Sequence, residues 1–266
     1  MTTSSSATLS TSPNIAGAAA ATPTVLVEVW SDIACPWCYI GKRRFAAALQ
    51  AFAHRDQVQV VWRSYELSPE TPAGPGVPEI AALSQRMGAP VERIREMFAH
   101  VTEVAAGDGL TYDFERALAA NTFDAHRLVH LAREHGGPAL ADRTLEALFA
   151  AQFTVGADLG TASVLVGIAA DAGFAAAGLD DAAVLAALAG DRAADAVRHD
   201  EAEARALGVT GVPFFVAGRR IAVSGAQPVK VFVRLLEAAW QEANPLVPLT
   251  GTDEAAGACV DDSCAI

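Results

Sequence analysis

The chain has 266 residues, of which 31 are acidic and 19 basic, and 52% are apolar although only 7% are aromatic. At ~150 residues per domain this length suits one domain with a large insertion or two small domains, and the apolar content must be largely alanine in helices. A formal net charge of −12 and no basic run longer than Lys42-Arg43-Arg44 exclude a nucleic-acid or anionic-membrane partner, since either needs a basic stripe against phosphate.

Residues 1–24 carry no charge and consist mostly of Ser, Thr, Ala and Pro. They lack the basic start and strongly apolar stretch of a secretory signal, so a disordered leader and a cytoplasmic compartment are expected. No run of ~18 apolar residues offers a membrane span. Val25 to Trp30 reads as a strand leading into Cys35-Pro36-Trp37-Cys38. Tyr39 to Ala53 then carries Ile40, Phe45, Leu49 and Phe52 at helical spacing, and Pro36 suits the first turn, where its missing N–H costs nothing. Val58 to Trp62 is a second strand, so the opening is a βαβ unit with parallel strands.

Pro69, Pro72, Pro75 and Pro78 mark a loop, after which helical patterns follow one another with little sign of strand. They run over Ile80–Met87, Val91–Ala105, a helix capped by Asn121 and ending at Gly136-Gly137, Pro138–Phe153, Thr161–Ala172, Asp181–Ala189 and Arg192–Leu207. Strand character returns at Val212 to Val216, turns through Ala217-Gly218-Arg219-Arg220 into Ile221 to Val223, and ends in a helix over Pro228–Ala243. Neither strand pair makes a stable sheet alone. The expected class is therefore α/β: a βαβ plus ββα sheet domain over residues 25–243, interrupted by an all-helical insertion at about 69–208, with residues 244–266 as a flexible tail.

Four cysteines fall in two close pairs, Cys35 with Cys38 and Cys259 with Cys264. In a chain of this size such pairs point to metal or redox chemistry rather than to a disulfide framework. A zinc site would need two further ligands at metal spacing, and His54, His100, His130, His135 and His199 form no ligand set, so no metal and no cofactor are expected. At a helix N-terminus, unpaired N–H donors and the positive end of the macrodipole favour thiolate over thiol. Cys35 is thus the expected nucleophile, and Cys38, one turn on and less exposed, the residue that resolves the mixed disulfide. Trp37 offers apolar area to a bound peptide. Arg198-His199-Asp200-Glu201 reads as a solvated helix face.

Cys-Pro-Trp-Cys with Gly211-Val212-Pro213 about 175 residues later resembles the thioredoxin superfamily and, within it, the DsbA family. Asp32, Tyr39-Ile40-Gly41, Arg63-Ser64-Tyr65-Glu66-Leu67, Asn121-Thr122 with Ala125-His126-Arg127-Leu128, and Ser224-Gly225-Ala226-Gln227-Pro228 resemble landmarks of its cytoplasmic FrnE-type branch. The resemblance implies a thioredoxin-like fold, thiol or disulfide protein substrates, and a cis Val212–Pro213 bond opposite the Cys35 sulfur. Pro36, Trp37, Val212 and Pro213 would then bind substrate. It also implies that a tail Cys-x4-Cys, here Cys259 and Cys264, can serve as an auxiliary redox pair; a linker of about 15 residues spans roughly 20 Å. A carboxylate six residues before the first cysteine, found in several relatives, is replaced by Val29, leaving Glu28 and Asp32 as nearby substitutes. His126 and Asn121 either line the cleft over Cys35 or are a half-buried histidine and a polar helix start. Two other readings stay open. One is a glutathione-using enzyme of the 2-hydroxychromene-2-carboxylate isomerase or kappa-transferase type, whose members typically have Ser at the Cys35 position and lack the second Cys. The other is a non-enzymatic redox sensor or holdase. Glutathione is a further candidate partner.

Overall fold

In the computed structural model, residues 25–245 are described. The expected leader, and the tail from residue 246 with Cys259 and Cys264, lie outside the described residues. β1 (Val25–Ser31) alternates two apolar faces: Val25, Val27 and Val29 pack with one cluster, and Trp30 packs with another. α1 (Pro36–Ala51) begins at the expected proline, and β2 (Val58–Ser64) returns parallel to β1, with Val25 opposite Val58 and Ser31 opposite Ser64. Then come β3 (Val77–Pro78), α2 (Glu79–Met87), α3 (Val91–Gly107), β4 (Leu118–Ala119), α4 (Phe123–Ala150), α5 (Ala162–Ala172), α6 (Asp181–Ala189) and α7 (Ala194–Ala206). β5 (Phe214–Ala217), β6 (Ile221–Ser224) and α8 (Val229–Ala243) close the described chain.

Strands from the two ends join in one sheet of order β2-β1-β5-β6, with β5 antiparallel to β1 and β6 antiparallel to β5. Gly218 and Arg219 both take positive φ, 58° and 59°, which matches the twist a tight antiparallel turn needs. α1 and α8 cover one face of the sheet, where Phe45, Phe215 and Phe232 interlock with ring centroids 4.5 to 5.7 Å apart. α7 covers the other, where Ala204 meets Trp30 and Val216. The mixed α/β class holds, and the helical segment between the two halves also carries the two-residue pair β3–β4, which is too short to leave a period in the sequence.

The expected helix stop at Gly136-Gly137 and restart at Pro138 is seen inside α4: Gly137 takes a non-helical φ of 68° and ψ of −166°, which separates two helical halves, and Pro138 has no N–H to lose at the restart. Two local readings change. Asn121 accepts the Phe123 N–H at 2.9 Å and donates to the Thr71 carbonyl at 2.9 Å, but the cap position itself is Thr122. The reading of Arg198 to Glu201 as a solvated face is overturned in half. Arg198 and His199 are exposed, whereas Asp200 and Glu201 are buried. Asp200 accepts from Arg63 at 2.8 Å and from the Ser64 N–H at 3.0 Å, and its backbone carbonyl takes the Trp30 indole N–H at 2.9 Å. A charge consumed by a buried partner across the sheet looks in sequence like one that faces water.

Candidate active site

Cys35 sits at the N-cap of α1 with extended backbone (φ −94°, ψ 112°), and no side chain caps the helix. Its N–H donates to the Asp32 carbonyl at 3.1 Å, which closes the turn between β1 and α1. Both cysteines are free thiols; Cys35 is 5% exposed and Cys38 is fully buried. The Cys35 thiol lies 3.6 Å from the Val212 carbonyl, and the Val212–Pro213 peptide is cis. Pro36 and Trp37 are half-buried beside them, and the Tyr112 hydroxyl donates to the Pro36 carbonyl at 2.8 Å. Thus Cys35, Pro36, Trp37, Cys38, Val212 and Pro213 come together, although most of the helical segment lies between the two groups in the chain. Cys259 and Cys264 fall outside the described residues.

Gly41 sets how closely α1 approaches the Pro213 loop. A Cβ on it would lie 2.9 Å from Pro213 Cγ and 3.5 Å from the Phe215 ring. Pro213 is held from the other side by its carbonyl, which accepts the Gly225 N–H at 2.8 Å.

Burial pushes the Cys38 thiol well above its ordinary range, and the hydrogen bond and charge of Cys35 push it further. The Ser31 hydroxyl and the Asp32 backbone work the other way. Burial likewise raises Tyr112, helped by Tyr39, Cys35 and Cys38, and lifts Tyr39 to about 12, helped by its 2.6 Å hydrogen bond to Glu146. Both phenols are therefore neutral donors at ordinary pH. Lys42, one turn further along α1, is not on a wet face: its amine is buried and bonds Asp142 at 3.1 Å and Glu146 at 3.0 Å.

The two candidate carboxylates part company. Strand alternation turns Glu28 to the α7 face, away from Cys38, where it pairs with Arg63 and Arg219. Asp32 lies directly under the site. Burial opposes its charge, but the hydrogen bond and charge of His126 and the N–H groups of Leu67 and Ala34 outweigh that and hold its carboxyl below the usual range. His126 Nε2 lies 3.3 Å from Asp32 Oδ1, and the ring is buried, so it supports the floor rather than lining an open cleft. Nearby, burial pushes Glu66 up to about 7, helped by its hydrogen bond with Glu201. Ser31, Glu66 and Gly41 carried no individual signal in the sequence. Only the period of β1, which puts Ser31 on the Val27 and Val29 face, could have found the first.

The DSBA-like thioredoxin domain family matches residues 26–237. A Streptomyces coelicolor protein described as a "probable DsbA oxidoreductase" is 42% identical over 91% of this chain and 99% of its own, with a TM-score of 0.74. Two structures share the fold at lower identity. The cytosolic disulfide reductase DsbM from Pseudomonas aeruginosa, solved with glutathione, is 19% identical over 81% of this chain and 99% of its own (TM-score 0.57). A 2-hydroxychromene-2-carboxylate isomerase is 14% identical over 82% and 97% (TM-score 0.57). None of the curated proteins compared matches the chain.

Proposed function

This chain belongs to the DSBA-like thioredoxin domain family, and we propose that within it the protein is a thiol-disulfide oxidoreductase or isomerase that exchanges disulfides with protein substrates through Cys35 and Cys38. The observation that carries this reading is the Cys35 sulfur at the uncapped N-terminus of α1, 3.6 Å from the Val212 carbonyl, with a second free thiol one turn behind it. Cys35 acts as its thiolate, the form that attacks sulfur. That thiolate attacks one sulfur of a substrate disulfide, the substrate S–S bond breaks, and the departing sulfur leaves as a thiolate that takes a proton. Cys38 then gives up its proton and attacks Cys35. The Cys35–Cys38 bond forms as the Cys35–substrate bond breaks, and the second substrate sulfur is released and protonated. The substrate gains two electrons and the protein loses two; run backwards, the same steps oxidise a substrate dithiol.

Pro36, Trp37, Val212 and Pro213 form the substrate edge in this reading, where the Val212 backbone pairs with an extended peptide whose sequence matters little. Glutathione is the small thiol we assign as recharging partner, by likeness of fold to the glutathione-bound reductase. We assign the protein to the FrnE-type branch and to the cytoplasm; among the described residues no helix is long and apolar enough to cross a membrane. Cys259 and Cys264 are assigned as an auxiliary pair. A redox sensor or holdase would not need turnover, and a glutathione-dependent isomerase would not need Cys38.

Trapping tests the assignment. With a disulfide-bonded protein substrate, Cys38→Ser accumulates a substrate adduct on Cys35 that non-reducing electrophoresis resolves, while Cys35→Ser forms none. Adducts on Cys35→Ser and none on Cys38→Ser would reverse the roles.

A further inference from the structure

Resting on that dithiol reading, we infer that Ser31 is the hydrogen-bond donor that supports Cys38 as a thiolate while it resolves the mixed disulfide. Ser31 ends β1 on the face of Val27 and Val29, the face against which Cys38 packs. It is 3% exposed, and among the described residues its Oγ makes no hydrogen bond of good geometry, although it lies near enough to bear on the Cys38 thiol. Its backbone is fully used: the carbonyl accepts the Tyr65 N–H at 3.1 Å, and the residue stands opposite Ser64 in the sheet. The unused atom is the hydroxyl alone. A buried hydroxyl without a partner loses its hydration for nothing in return, a cost that alanine would not carry. Such an atom asks for a state of the protein in which it is used.

Mixed-disulfide resolution supplies that state. Cys38 is fully buried, and burial works against its charge, while the Ser31 hydroxyl works for it. The other groups that bear on this sulfur are Cys35, the backbone of Asp32 and the neutral Tyr112 phenol, with the Asp32–His126 pair behind the turn. Once Cys35 is bonded to substrate, its own thiol no longer competes for a proton. Cys38 releases its proton to solvent, and its Sγ accepts the Ser31 O–H. Its electron pair then forms the bond to Cys35 Sγ. The Cys35–substrate bond breaks, and the substrate sulfur leaves with the electron pair and takes up a proton, so charge and electrons balance. Ser31 keeps its own proton throughout.

The full-length protein, with Cys259→Ser and Cys264→Ser so that only the main pair reacts, is mixed with an equimolar symmetrical aryl disulfide of nitrothiobenzoate. Attack by Cys35 releases one coloured thiolate and resolution by Cys38 a second, so stopped-flow absorbance shows two phases. In Ser31→Ala the first phase is unchanged. The second slows about tenfold at neutral pH, equal to a one-unit rise in the Cys38 midpoint, and rejoins the parent rate at high pH. The melting temperature of Ser31→Ala equals or exceeds that of the parent, because only an unpartnered atom is removed. Ser31→Thr keeps the hydroxyl, and a small cavity bounded by Ser31, Ser64, His126 and Val129 adjoins it to take the added methyl. Its second phase stays near the parent rate. The inference is overturned by an unchanged second phase in Ser31→Ala, by slowing that is the same at every pH, by Thr as slow as Ala, or by a melting temperature well below the parent. A parent that shows no second phase would remove the dithiol reading itself, and this inference with it.

Discussion

Adding one methyl group at Gly41 should damage exchange more than it damages the fold. The new Cβ would stand 2.9 Å from Pro213 Cγ, whereas non-bonded carbons rest at about 3.5 to 4.0 Å. Something must therefore move by more than half an ångström. α1 is held in place by the Phe45 contacts to Phe215 and Phe232 and by the buried Lys42 ion pairs. Pro213 is a rigid ring tethered at its carbonyl by Gly225, so it yields as a unit and carries Val212 with it. Overpacking of this size costs about 1 to 3 kcal/mol, while replacing glycine by alanine inside a helix returns about 1 kcal/mol. The net loss is then at most about 2 kcal/mol, a few degrees in melting temperature. The 3.6 Å approach of Cys35 Sγ to the Val212 carbonyl is what the shift disturbs. In insulin reduction, Gly41→Ala should turn over at least about tenfold more slowly, a barrier change of about 1.4 kcal/mol. A variant as fast as the parent, or one that melts higher at unchanged rate, would refute the packing argument.

Glu66→Gln tests the buried carboxyl pair. Glu66 sits at about 7 in the fold against an ordinary 4.5, raised by burial and by Glu201, so the stability it contributes is full below about 4.5 and is lost as pH rises through 7. The Gln variant, neutral throughout, should therefore gain urea resistance relative to the parent as pH is raised from 5 to 8, and a difference constant in pH would contradict this. Asp200→Ala removes the acceptor shared by Arg63, the Ser64 N–H and His130. The Ser64 N–H would lose its acceptor, while Arg63 keeps Glu28 and Glu203 and His130 keeps the Ser64 hydroxyl, so the loss should be about 1 to 3 kcal/mol, measured by denaturant unfolding. Exchange per folded molecule should stay unchanged, because this network lies mainly on the α7 face of the sheet; a selective loss of rate would place Asp200 in the site.

The parts of this account that could be read from sequence are those written in local pattern. The alternation of Val25, Val27 and Val29, the proline at the head of α1 and the tight turn at Gly218-Arg219 each announce their element within a few residues. The Cys-Pro-Trp-Cys run and the distant Val212-Pro213 became one site through the resemblance to the DsbA family, since no spacing rule joins residues so far apart in the chain. What could not be read depends on partners across the fold. Asp200 reads as a surface residue until Arg63 and Trp30 are seen opposite it. Glu28 and Asp32 look interchangeable in sequence, yet one strand face separates them, and only Asp32 lies beneath the dithiol. Among the described residues the His126 ring meets that same carboxylate, and nothing near it in the chain says so. Gly41 belongs to a recognised run, but its tight approach to Pro213 appears only when α1 is laid against β5.

The central claim, that Cys35 and Cys38 cycle between dithiol and disulfide, is tested most directly by redox equilibrium. The full-length protein is equilibrated across a series of reduced-to-oxidised glutathione ratios, quenched with acid, alkylated and digested, and the peptides are identified by mass. The account predicts a single cooperative transition in which a Cys35–Cys38 disulfide within one chain replaces two alkylated thiols. Finding both cysteines alkylated at every ratio, or a lasting glutathione adduct on Cys35 with Cys38 still free, would contradict it.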